Sequence, residues 1–475
     1  MLRKLFIASV ALLLSCSPQV KKPGAQSVGG ADKAGGSEIS QIVLYARSAG
    51  EANTPLVWDI RKIALDRADG RRIDIPGTTI SLKIADLRRG QKLLAVSEVE
   101  EGTYTGLTVF SRGVYFSDTD QEVTTATKVF SFNHDFTVLS GNAKSIFMLV
   151  DVADPGDRRE SYEFVPRITV LDEDPTPSSE VIYVANELSS NISIIDKQLK
   201  RVVYNVFVGT KPYALAADNR RNRLYIGDRK DGVIYEMDML RQHLLRATQI
   251  EYVDEPVHIE PVPSRDLLIV VNFGSDTIYI VDSFTLQVVQ TIEVGYEPVD
   301  AVYSDLFDIA FVLNRYFGTL SVLDFAADTV KVDTTLQVEL DPAGMAIDDN
   351  MGWLYITNSG STDLSILKMR TLGIEKTVSV GVGAGDIEFD PFGRRVYIAM
   401  TATREIICVD PYTGILEYSI DLPSEPGKML FDDDEKRLYA CLPGRSAVVV
   451  IDPMSRRIDS WIETGRGPSS LAPRW

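Results

Sequence analysis

The stretch LLIVVNFGSDTIYIVDSFTLQVVQTIEVGYEP, residues 267–298, holds three runs rich in β-branched and aromatic residues, separated by turn residues, and closes on a Gly-x-x-Pro corner. Its parts recur through the rest of the chain. A first-run aromatic or aliphatic residue falls at Tyr183, Tyr225, Ile269, Phe311, Tyr355, Tyr397 and Tyr439, at intervals of 42 or 44 residues. The aspartate that ends the second run keeps this phase at Asp196, Asp238, Asp282, Asp324, Asp410 and Asp452, with Lys368 in the remaining copy. The corner proline keeps it at Pro212, Pro256, Pro298, Pro342, Pro426 and Pro468, with Ala384 in its place once. A period of about 40–45 residues with some four strands per unit is that of a β-propeller blade.

The strands that follow the corner lie at 213–217, 257–262, 299–303, 343–348, 385–389, 427–431 and 469–473, which makes seven, the number of first-run strands. The two sets are out of step at the ends. The array begins at Val181 with a first-run strand and ends with a post-corner strand. The C-terminal strand is therefore expected to complete the blade built from 182–208, closing a ring of seven and removing an exposed edge.

The whole chain is expected to be all-β, a seven-bladed propeller (178–475) preceded by an antiparallel β-sandwich (38–175). For the sandwich, strand-like runs lie at 41–46, 58–67, 80–84, 105–111, 129–133, 146–152 and 164–171. The segment DEDPTPSS, 172–179, marks the boundary. Upstream, residues 1–15 carry the basic pair Arg3 and Lys4 and an apolar run too short to span a bilayer, and 16–37 are rich in Gly, Ser and Ala, as in a flexible tether. A formal net charge of −18, which becomes −20 if Arg3 and Lys4 leave with a leader, argues against nucleic acid as a partner. Three cysteines make no disulfide framework; Cys408 and Cys441, both in strand-like runs, are expected as buried free thiols, with a disulfide between neighbouring blades as the alternative that an oxidising envelope compartment allows.

Three resemblances follow from particular residues. Leu13-Leu14-Ser15-Cys16 resembles a bacterial lipobox, which implies cleavage before Cys16, lipidation of that cysteine and anchoring in the cell envelope, with Ser17 favouring the outer membrane. LRRGQKLLAVSEVEEGTYTGLTVF, 87–110, resembles a bacterial lipoprotein domain of unknown function, with a Leu-rich run before a Gly-x-Tyr strand opening. IYVAN (182–186), LYITN (354–358) and DIEFDPFGRRVYIA (386–399) resemble the YVTN family of seven-bladed propellers, which implies the fold but no single activity.

The repeated aspartates, and Asn186, Asn272, Asn314 and Asn358 at first-run strand ends, read as turn-locking residues, since chemistry does not need so many copies. Residues that break the repeat on the loops of one face form the candidate binding set: Tyr213, Arg229, Lys230, Asp254, Glu255, Tyr296, Glu297, Arg315, Tyr316, Phe317, Arg404, Arg445 and Arg466. Only His134, His243 and His258 are present, with no His-x-x-x-His, Cys-x-x-Cys or Gly-x-Ser-x-Gly spacing, so no catalytic residue, metal ligand or cofactor is assigned. The expected function is a lipid-anchored, non-catalytic envelope protein that binds a protein or glycan partner. Alternatives are a lactonase-like or other hydrolase using channel carboxylates and, by analogy with related propellers, an accessory subunit of an electron-transfer complex. At the channel mouth, three or more convergent carboxylates with a His or Arg in a closed pocket would favour the enzyme, and a broad open face of Tyr, Phe and Arg would favour binding.

Overall fold

In the computed structural model, residues 39–49, 54–88, 90–156, 159–172, 180–250, 255–326 and 329–474 are described. The leader, Cys16 and the tether lie outside them. Among the described residues, the first domain has nine strands: β1 (Ser40–Ser48), β2 (Leu56–Arg67), β3 (Arg72–Ile75), β4 (Ile80–Lys83), β5 (Gln91–Val99), β6 (Gly102–Phe116), β7 (Val129–Val138), β8 (Ala143–Asp151) and β9 (Arg167–Leu171). They form two sheets, in the orders β5-β1-β8-β9 and β3-β2-β6-β7, with β4 also paired to β2. The sandwich expected from the sequence is present, but β1 and β8 run parallel, so it is not purely antiparallel. Strands β3 and β5 were not foreseen; β3 is only four residues long, and β5 occupies the Leu-rich run.

Trp58, Tyr104, Phe116 and Phe164 fill the space between the sheets, with Leu44, Leu107 and Ile146 packed around them. Buried aromatic polar groups find partners: Trp58 Nε1 donates to Ser111 Oγ (3.0 Å) and Tyr104 Oη to Glu100 O (2.7 Å). At Gly106, where the pairing of β6 with β7 slips, a Cβ would lie 2.1 Å from Phe132 O, so only glycine allows the strands to approach.

The second domain is a ring of seven four-stranded antiparallel sheets. Six blades are consecutive in sequence. The other pairs the C-terminal strand Pro468–Arg474 with Val181–Asn186, from Val181 opposite Arg474 to Asn186 opposite Pro468, as the out-of-step ends required. Blade 1 carries this seam, and blades 2 to 7 follow in chain order. Apolar residues on both faces of the middle strands interlock between blades: Tyr355, Ile366 and Ala346 of blade 5, for example, pack with Ile387, Val396 and Ile398 of blade 6. The recurrent aspartates lock turns, as expected. Asp238 Oδ1 accepts from Leu240 N (2.8 Å) and Asp410 Oδ1 from Tyr412 N (2.8 Å). Cys408 and Cys441 are buried free thiols.

The two domains share an apolar core. Val43, Tyr45 and Phe147 of the sandwich meet Ile182, Val184 and Val202 of blade 1 and Tyr439, Val448 and Ile462 of blade 7. Polar contacts frame that core: Gln41 Nε2 donates to Ser189 O (2.6 Å), and Lys92 Nζ lies 2.6 Å from Glu463 Oε1. The sandwich thus covers the place where the ring closes. Between the same two blades, Lys197 Nζ and Asp432 Oδ2 are 2.6 Å apart with neither side chain exposed.

Candidate functional site

Corner loops and the loops joining the first two strands of each blade share one face, tied together by backbone bonds such as Arg229 N to Lys211 O (3.0 Å), Arg315 N to Glu297 O (2.9 Å) and Thr401 N to Gly383 O (2.9 Å). Most residues expected on a binding face are here, but they fall into separate groups. Over blades 2 to 4, the Arg229 guanidinium lies 5.0 Å from the Tyr213 ring and is held by Glu255 (2.8 Å). Lys230, next to it, is exposed. Arg315 is held by Asp341 (2.5 Å), and Glu297 supplies the left-handed corner residue before blade 4 (φ +52°). Tyr296, Tyr316 and Phe317 are exposed by 58, 65 and 56% and pack on one another, with centroids 4.7 to 6.5 Å apart.

The remaining residues stand apart from this group. Arg404 and Arg445 line a different depression of about 440 Å³, walled by Pro423, Pro426 and Pro443. Arg466 departs from the expectation: its Nη2 donates to Val96 O (3.3 Å) of the sandwich, so it belongs to the seam between domains and not to the open face. The sequence could not show this, because the contact forms only once the sandwich docks beside that corner. Asp254 lies outside the described residues.

The channel itself holds the carboxylates that the hydrolase alternative invokes, together with His258 and a lysine outside the candidate binding set. Each blade lends it an inner strand, and in most of these the pairing slips just past the corner, as between Pro256 and His258 or Pro298 and Asp300. Such bulges re-aim side chains. The second residue after the corner is Ala214, His258, Asp300, Gly344, Asp386, Lys428 and Ser470 around the ring, and two residues further on stand Glu260 and Glu388. His258 Nδ1 is 3.0 Å from Asp300 Oδ1, while its Nε2 is 3.8 Å from Glu260 Oε2, too far for a hydrogen bond. Lys428 of blade 7 reaches across to Asp386 Oδ1 (2.8 Å) and Asp300 Oδ1 (3.5 Å). These positions were legible in principle. Superposing the post-corner strands shows that charge replaces small or apolar residues at one register.

The carboxylates also hold the ring together. An inner strand is a sheet edge whose outward N–H groups need acceptors. Asp300 Oδ2 accepts from Met345 N (3.0 Å), Asp386 Oδ2 from Met429 N (2.7 Å) and Glu260 Oε1 from Tyr303 N (3.1 Å), each on the next blade of the ring. The other oxygen of each faces the channel. Burial pushes Glu260 and Asp386 above the ordinary carboxyl range, and pushes Glu388 well above it with help from Asp386. Burial opposes the charge on Lys428, but Asp300 and Asp386 together outweigh it and raise the lysine, which keeps it protonated and unsuited to nucleophilic attack.

Lys428 divides the channel. Below it is a well of about 300 Å³ containing His258, Glu260, Asp300, Asp386 and Glu388; above it, opening on the loop face, is a vestibule of about 380 Å³. Among the described residues, Ser469 and Ser470 are the serines on the well wall and neither hydrogen-bonds to His258; Ser469 Oγ donates to Tyr213 O (3.1 Å). Among the described residues, no three His, Cys, Asp or Glu side chains are grouped as ligands of a metal ion.

No family model and no curated protein matches this chain. Solved structures do. Hydrazine synthase of Kuenenia stuttgartiensis is 15% identical over 58% of this chain and 94% of its own, with a TM-score of 0.52. A functionally unknown protein of Desulfotomaculum acetoxidans is 11% identical over 62% of this chain and 98% of its own, with a TM-score of 0.55. The likeness is one of fold. It shows a β-propeller and carries no activity across.

Proposed function

We propose that this chain is a lipid-anchored protein of the bacterial cell envelope, of YVTN-repeat type, whose loop face binds a protein or glycan partner without catalysing a reaction. The observation that carries this reading is the exposed Tyr296, Tyr316 and Phe317 cluster beside Arg315, since large rigid aromatics and arginines make the strongest anchors of binding surfaces. Crosslinking on intact membranes tests it. A discrete partner recovered with the wild type and lost with Tyr316→Ala/Phe317→Ala supports the proposal, and equal recovery with both refutes it. Radiolabelled fatty acid incorporated by the wild type but not by Cys16→Ser would establish the anchor.

A second reading, a lactonase-like or other hydrolase, is favoured by the convergence of four channel carboxylates with His258. Against it stands the use of three of those carboxylates as acceptors for neighbouring backbone. Lactone turnover by the pure protein, abolished in Asp300→Asn, would put this reading first.

A further inference from the structure

We propose that the vestibule at the channel mouth is a binding site for a small organic polyanion, a di- or tricarboxylate or a phosphate ester, whose acidic groups engage Arg229, Arg315 and Lys428. The formal net charge of the chain is −18, yet this cavity has three cations on its wall and no acidic side chain among its lining residues. The cations come from blades 2, 4 and 7 and so approach from different sides of the ring. Tyr213, Ser359 and Thr401 add hydroxyls, and Phe273 an apolar face. At about 380 Å³ the space falls in the range of small-molecule sites, roughly 300–1,000 Å³.

Each cation is braced from behind. Glu255 engages Nε and Nη2 of Arg229 (3.1 and 2.8 Å), and Asp341 the same two atoms of Arg315 (2.5 and 3.5 Å). The Nη1 edge of each guanidinium makes no hydrogen bond among the described residues, which leaves donors fixed in direction for an anionic oxygen. The Tyr213 ring further fixes Arg229. Lys428 forms the floor. Asp300 and Asp386 hold it from the well side, so the ligand stops at the lysine instead of passing into the well.

The proposal does not rest on the aromatic cluster. Isothermal titration of the detergent-solubilised full-length protein with citrate, with glycerol phosphate and with glycerol tests it. The expected result is saturable binding of citrate or glycerol phosphate but not glycerol, weakened by added salt, and whichever binds more tightly identifies carboxylate or phosphate chemistry. Loss of a charged hydrogen-bond donor weakens binding by about tenfold, so Arg229→Gln and Arg315→Gln should each do so. Both arginines are partly exposed, so melting measured alongside should match the wild type. Arg445→Gln, outside the vestibule, and Tyr316→Ala/Phe317→Ala should bind as the wild type does. Absence of binding by both anions, or wild-type affinity in Arg229→Gln/Arg315→Gln, or an equal loss in Arg445→Gln, overturns the proposal.

Discussion

Replacing Lys197 by methionine should weaken the protein at the point where its ring closes. Lys197 belongs to blade 1 and Asp432 to blade 7; they are 2.6 Å apart with no exposure of either side chain. At an effective dielectric of 20, their attraction before desolvation is about 6 kcal/mol. Desolvation offsets much of this in the intact pair, but the methionine variant keeps the buried Asp432 charge and loses its partner, which costs about 3–5 kcal/mol. A unit of about 300 residues gains roughly 0.6 kcal/mol/K of entropy on unfolding, so its melting temperature should fall by about 5–8 °C. Calorimetry reads this directly. Asp432 also accepts from Asp434 N (3.0 Å), a bond that asparagine retains, so Lys197→Met/Asp432→Asn should recover at least half of the loss. A shift under 1 °C in the single variant, or a double variant less stable than the single, would refute the argument that an unpaired buried charge governs this seam.

Deleting residues 466–475 removes the strand paired with Val181–Asn186 and leaves a sheet edge bare, so cooperative unfolding should be lost; unchanged melting would contradict closure by this strand. Tyr45, fully buried and stacked 5.5 Å from Phe147, joins the two domains. Tyr45→Ala should cost about 3–5 kcal/mol and split a single melting transition into two, as followed by circular dichroism in the near and far ultraviolet. Glu388 carries a raised pKa, so the folded state holds its proton more tightly than the unfolded state. Its favourable contribution is complete below the unfolded value and disappears as pH rises through the folded one. Glu388→Gln should therefore melt above the wild type at pH 8, and the gap should narrow toward pH 4; a gap that widens on acidification reverses the sign.

Much of the architecture can be read from the chain because each blade is a local unit with its own turns. Tyr183 and its counterparts, the aspartates and the corner prolines recur because every blade must meet the next in the same way, and that need imprints a period. The mismatch between Val181 and SSLAPRW even encoded the seam. The parallel pairing of β1 with β8 left no such mark, since it joins segments far apart in sequence, and β3, a hairpin return onto β2, is only four residues long, too short to show a strand period.

The sequence by itself determined the repeat, the blade count and the loop residues that break the pattern, because strand period and turn chemistry act over a few residues. Only tertiary structure decided what those residues face. Folding the ring carried Lys428 across to Asp300, joined Arg229 and Arg315 at one mouth, and brought Arg466 to the edge of the sandwich. The physical reason is range. A channel is made of single positions from seven strands about 42 to 44 residues apart, and the charges that meet there are neighbours only after closure.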